Sequence, residues 1–191
     1  MTAATASPAR HGGEVAPDVL QRAKEGDRHA FTEVVRHYDY RLRALAYRLL
    51  GDRAAMDDAL QEAYVKAFRA LPGFRGDAGV GTWLYQITYR ACIDLHRRES
   101  RHQVDAAGWS PPDAAAPTAD PAVTAASRTD LQRALARLPV DQRAAVLLVD
   151  AEGLDYDAAA TVLGVAPGTI ASRLSRARAA LRAALAEGET P

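Results

Sequence analysis

The sequence predicts an all-α protein, two small helical domains joined by a flexible linker. Three observations carry this. Nearly every ordered stretch repeats its apolar residues at the helical period, and none alternates apolar and polar residues in the manner of a strand. Residues 101–127 gather Pro111, Pro112, Pro117 and Pro121 among Ala, Asp, Ser and Thr, with little to bury beyond Trp109 and Val123. Near the C-terminus, two short helical patterns are separated by Gly164 and reopened by Pro167.

With 191 residues the chain is long enough for two cores. The expected division is a disordered tail over 1–15, a first domain over 16–100, the linker over 101–127 and a second domain over 128–187. Residues 1–14 are small and polar, without the apolar centre of a signal segment. Helices are expected at about 16–26, 28–50, 54–71, 83–100, 128–138, 140–152, 155–163 and 167–186.

In the helix from Ala54, an apolar stripe of Leu60, Tyr64, Ala67, Phe68 and Leu71 reads as a core face. Asp57, Asp58, Gln61 and Glu62 stand at its start, where acids complement the helix dipole or, alternatively, form a docking surface for a basic partner. A loop with four glycines, Pro72 to Gly81, follows, and Thr82 is the expected N-cap of the next helix. Trp83, Tyr85 and Arg90 interleave aromatic and basic character beside that loop, which suits stacking and holding unpaired bases. Trp83 is expected in the core; Tyr85 is left open between core and surface.

The second domain ends in a helix-turn-helix. Asp155 is the expected cap of its first helix, Gly164 the turn residue and Pro167 the opening of the second. Ile170, Leu174, Ala177 and Leu181 make the packing stripe. Ser172, Arg173, Ser175, Arg176 and Arg178 occupy the remaining surface, where hydroxyls and guanidinium groups suit base edges and phosphates in a major groove. An ordinary solvated basic face is the alternative.

Composition narrows the function classes. Hydrophobic residues are 48% and charged residues 25%, as in soluble globular proteins, and no apolar run is long enough to cross a bilayer, so a cytoplasmic protein is expected. Formal net charge is zero, but the signs are segregated: Arg90, Arg97, Arg98, Arg101 and the last helix are basic, while Asp52, Asp57, Asp58 and Glu62 are acidic. Weak unaided DNA binding and a second, protein partner follow. The single cysteine, Cys92, reads as a packed residue, and the five histidines show no zinc-like spacing. With no phosphate-cradling glycine loop and no nucleophile elbow, no enzyme, metal or cofactor is expected.

Taken together, the motifs resemble the extracytoplasmic-function (ECF) sigma factors of the sigma-70 family, over most of the chain. The matching segments are Gly26 to Phe31, Asp57 to Phe68, Phe74-Arg75-Gly76, Thr82 to Tyr85, Leu138-Pro139, Glu152-Gly153-Leu154, Gly168-Thr169-Ile170, Ser172-Arg173-Leu174 and Arg176-Ala177-Arg178. The resemblance implies a transcription initiation factor whose first domain binds core RNA polymerase and the minus-ten element and whose second reads the minus-thirty-five element. By that resemblance Asp57, Asp58, Gln61 and Glu62 dock on the clamp coiled coil of the largest polymerase subunit, and the second-largest subunit offers its flap. Phe74, Tyr85, Ile87 and Arg90 become candidates for capturing a flipped minus-ten base, with Arg75, Trp83, Arg97 and Arg98 completing that surface. Thr169, Ser172, Arg173, Ser175, Arg176 and Arg178 are the candidate minus-thirty-five contacts.

It also implies an anti-sigma factor, often membrane-anchored, while the chain itself is not membrane-inserted. Three positions depart from the family pattern: Arg90 where asparagine is common, Ala171 where a basic residue usually precedes the serine, and Val149 where some relatives carry arginine. A stand-alone helix-turn-helix regulator and a helical adaptor are the rival readings. The first lacks the receiver domain expected of its class, and the second leaves the arginine series unexplained.

Overall fold

The computed structural model describes residues 14–107 and 130–187, the side chains of 99–107 and 187 excepted. Among the described residues there is no strand, and the expected all-α class is observed. The helices are α1 (Pro17–Lys24), α2 (Arg28–Leu50), α3 (Arg53–Ala70), α4 (Val80–Ala107), α5 (Asp130–Ala136), α6 (Val140–Val146), α7 (Tyr156–Leu163) and α8 (Pro167–Glu187). Residues 1–13 of the expected tail and 108–127 of the expected linker lie outside the described residues.

Local chemistry sets the boundaries. Asp27 accepts from the backbone N–H of His29 (2.8 Å) and Ala30 (3.2 Å) and so opens α2, while Gly51, at φ +74°, ends it. Asp52 then accepts from Ala55 N–H at 2.8 Å and opens α3. One cap satisfies a helix-start donor that would otherwise be orphaned, worth about 1 kcal/mol. Both boundaries of α4 differ from expectation. Helix α4 starts at Val80 instead of at a Thr82 cap, because Val80 is drawn into the core and the Gly79 carbonyl already accepts from Trp83 N–H at 3.1 Å. It also runs to Ala107, into the expected linker, since no proline or glycine interrupts the chain between Gly81 and Gly108.

Helices α2, α3 and α4 pack on one another around Val34, Leu42, Leu45, Leu60, Leu71 and Leu84, with α1 laid on α2. Burying each such leucine contributes about 1.5–3 kcal/mol. At Gly81 the approach of α4 to α2 is so close that a Cβ would stand 2.9 Å from the Tyr38 ring. In the second domain α5, α6 and α7 pack on α8 through Leu148, Val162, Ile170 and Leu174. Helix α6 does not run regularly to 152: it widens into a π turn over Leu147–Ala151, closed by Glu152 N–H donating to Leu147 O at 2.9 Å.

The two domains touch. Helix α4 packs against α7, and α2 against α5 and α6, so that the buried apolar residues of both halves form one connected cluster. Across this junction the buried guanidinium of Arg143 donates to Leu49 O at 2.8 Å, and within its own domain to Ala136 O (2.6 Å) and Leu138 O (3.0 Å). Three helix-end carbonyls thereby carry the charge, as the negative end of a helix dipole favours.

Candidate nucleic-acid interface

The helix-turn-helix is built as the residue types require. Asp155 accepts from Ala158 N–H at 2.7 Å and caps α7, and Gly164, at φ +67°, makes the turn. Val165 N–H returns to Ala160 O at 3.1 Å, and Pro167 opens α8. Ile170, Leu174 and Ala177 are buried, which turns the opposite edge of α8 outward. Ser172, Ser175 and Arg176 are exposed there; Thr169 is half-buried.

The three arginines of α8 differ. Arg173 is ion-paired with Asp141 at 3.1 Å and its side chain is only 18% exposed. Arg178 makes a two-pronged pair with Asp150 (3.0 and 2.6 Å), which pushes its pKa up. Arg176 donates from Nε to the Ser172 carbonyl at 3.2 Å and stays exposed. The Ser172 hydroxyl donates to Thr169 O at 2.9 Å, leaving its oxygen lone pairs outward.

The glycine loop and the start of α4 form a second surface. A cavity of about 300 Å³ lies there, lined by Gly73, Phe74, Arg75, Gly76, Asp77, Ala78, Trp83 and Gln86, with Thr161 of the second domain at its edge. Phe74 and Trp83 meet with ring centroids 5.2 Å apart. Arg75 is exposed and pairs with Asp77 at 3.2 Å. Trp83, expected in the core, is only half-buried because its ring faces Phe74 across the loop. Tyr85, left open between core and surface, is 3% exposed, and its hydroxyl donates to Glu152 of the second domain at 2.6 Å. Burial, with the Glu152 carboxylate beside it, pushes the phenol pKa up.

Ile87 is half-buried, while Arg90, Arg97 and Arg98 are exposed along α4. Cys92 is fully buried on the same helix, and burial raises its thiol to about 12, so it packs rather than reacts.

The acidic patch is partly answered from within. Asp57 receives Arg43 at 2.7 Å, and Arg43 also holds Asp39, which accepts from Tyr64 at 2.7 Å. Glu62 receives Lys66 (2.7 Å) and Arg98 (3.4 Å); hydrogen bonding from Lys66 leads the causes that hold its carboxyl below the usual range. Asp58 and Gln61 are exposed. The ordering roles of Arg43, Arg143 and Glu152 were missed by sequence reasoning, because each has a partner, Asp57, Leu49 and Tyr85 respectively, in a different helix or domain.

Both surfaces fall inside matches to known families. Residues 34–102 match the family model "Sigma-70 region 2", and 128–181 match "Sigma-70, region 4". The chain is 41% identical over 164 residues to the ECF RNA polymerase sigma factor SigM of Mycobacterium tuberculosis, covering 86% of this chain and 81% of that protein.

The chain belongs to the ECF sigma factors of the sigma-70 family.

The ECF RNA polymerase sigma-E factor of Escherichia coli is 33% identical over 175 residues, covering 85% of this chain and 90% of its own. Among solved structures, the sigma factor RpoE from Bartonella quintana, in complex with the anti-sigma factor NepR, aligns with a TM-score of 0.67 and 31% identity, covering 81% of this chain and 96% of that one. As an ECF sigma factor the chain is a promoter-specific transcription initiation factor. The match to region 2 argues against a stand-alone helix-turn-helix regulator. Sigma factors are transcription factors and not enzymes. Among the described residues, no helix is long and apolar enough to cross a membrane.

Proposed function

We propose that this sigma factor divides its work between the two surfaces, with Asp57, Asp58, Gln61 and Glu62 docking on the clamp coiled coil of the largest subunit of core polymerase and the second domain meeting the flap. The loop cavity takes a base flipped from the minus-ten element. Phe74 and Trp83 supply stacking area, and Arg75, Arg90, Arg97 and Arg98 hold the displaced backbone, while Ile87 and Tyr85 lie on the same helix outside the cavity lining. Unpairing DNA costs a few kcal/mol, which stacking of about 1–3 kcal/mol per base offsets while it selects the sequence. Helix α8 enters the major groove of the minus-thirty-five element, with Ser172, Ser175, Arg176 and Thr169 toward the bases and Arg173 and Arg178 toward phosphates.

The observation that carries this reading is the aromatic-walled, arginine-flanked cavity at the start of α4, since base capture needs a π-surface beside a phosphate anchor. Two tethered modules on one polymerase raise each other's effective concentration, so a chain of zero net charge need not bind promoter DNA tightly alone. The chain is not an enzyme. It works in the cytoplasm and is restrained by an anti-sigma factor, membrane-anchored as is common in the family, that covers both faces. Run-off transcription with core polymerase tests this: specific initiation is expected, and failure to bind core where another sigma factor succeeds rejects it.

A further inference from the structure

One helical segment supplies a carboxylate to each flank of α8. At about 100° per residue, Arg173 and Arg178 fall about 70° to either side of the buried stripe of Ile170, Leu174 and Ala177. Ser172, Ser175 and Arg176 lie farther round, on the outer edge. In a major groove the flanks of such a helix face the two phosphate walls, and its outer edge faces the bases. Asp141, in the first turn of α6, pairs with Arg173 at 3.1 Å, and Asp150, in the π turn that follows α6, grips Arg178 at 3.0 and 2.6 Å. Nine residues apart in an unbroken α-helix, these two aspartates would point about 180° apart, and only one could reach α8. The wider turn over Leu147–Ala151 changes that register and brings Asp150 round to Arg178. Asp150 and Arg178 are both exposed, and an exposed pair adds little to stability. Its place is on a flank that meets DNA.

We propose that Asp150 is a specificity-determining residue, which cancels the charge of Arg178 so that duplex DNA lacking the minus-thirty-five element is held weakly, while the fixed guanidinium stays aimed at one phosphate of the correctly docked element. This rests on the reading of α8 proposed above and deepens it. A guanidinium whose charge is already balanced by a carboxylate releases no counterion of its own when it meets a phosphate. It therefore adds nothing to the salt-dependent attraction that every duplex exerts. Directed donation survives, because the pair engages Nε and Nη2 and the guanidinium keeps further N–H donors. Only a duplex that seats Ser172, Ser175 and Arg176 on its bases puts a phosphate where those donors point. Discrimination then comes from weakening the wrong complex as much as from strengthening the right one.

The test titrates the full chain against a fluorescent random-sequence duplex at a series of salt concentrations. Asp150→Asn, which keeps the side-chain shape and removes its charge, should bind more tightly than the parent. Its plot of log affinity against log salt should be steeper by about 0.9, so that its advantage grows about threefold between about 200 and about 50 mM salt. Misfolding loosens binding and does not produce this signature. Asp18→Asn, at an exposed carboxylate of α1, makes the same change in net charge and should behave as the parent. With core polymerase added, the ratio of affinities for duplexes with and without the minus-thirty-five element should fall about threefold in Asp150→Asn. An unchanged salt slope, an equal change in Asp18→Asn, or an unchanged ratio overturns the proposal. The parent holoenzyme separates this from failure of the α8 reading. If it ignores the element, that reading falls and the role of Asp150 with it; if it discriminates while Asp150→Asn alters nothing, only the role of Asp150 falls.

Discussion

Single side chains sort the DNA-facing candidates by what already holds them. Arg176 is exposed and donates only to a carbonyl of its own helix, whereas Arg173 and Arg178 carry carboxylate partners. Arg176→Ala is therefore expected to weaken holoenzyme binding to the upstream element by about 1–3 kcal/mol, measured on duplexes with and without that element, and to leave core binding intact. The acidic patch follows the same logic. Asp57 already faces Arg43, so its field is partly spent, while Asp58 is exposed. Asp58→Lys should lower affinity for core polymerase roughly tenfold in a competition assay, and Asp57→Asn by less. The sequence made the α8 packing stripe legible because its spacing is local. It hid the ion pairs, since Asp141 and Asp150 lie outside α8 and nothing in a linear pattern brings them near.

At the scale of elements, helix starts and stops were legible wherever a cap or a glycine does the work, as at Asp155 and Gly164. Nothing lies within 4 Å of a Cβ added at Gly164, so Gly164→Ala tests backbone strain alone. A loss of about 1–2 kcal/mol in urea unfolding is expected, against about 1 kcal/mol for Asp155→Ala. At Gly81 the backbone is ordinary but the space is not, and Gly81→Ala should cost about 1–3 kcal/mol through overpacking on Tyr38. Equal effects at the two glycines would contradict this account. The true start of α4 escaped the sequence because Thr82 looks like a cap locally, and only tertiary burial of Val80 moves the helix three residues earlier. The π turn at Leu147–Ala151 escaped for a similar reason: its sequence, Leu-Leu-Val-Asp-Ala, fits an ordinary helix equally well.

For the whole molecule, two domains were legible from composition, but their packing on each other was not, because a proline-rich connector says nothing about where its ends meet. The packed state has a pH signature. Burial lifts the Cys92 thiol from 9.0 to about 12, and Tyr64, Tyr85 and Tyr89 are all raised above 10.0. The unfolded chain then releases these protons first, so ΔG of unfolding should be insensitive to these groups below about pH 9 and decline as pH rises toward 12. Urea titrations across that range check it, and Cys92→Ala should flatten the lower part of the decline. The Arg143 guanidinium, shared between helix ends of both halves, has a last effect. Calorimetry of the isolated chain should register one cooperative heat-absorption peak, and prying the halves apart should resolve it into two, so that the width of a melting curve becomes a gauge of how firmly one half is fastened to the other.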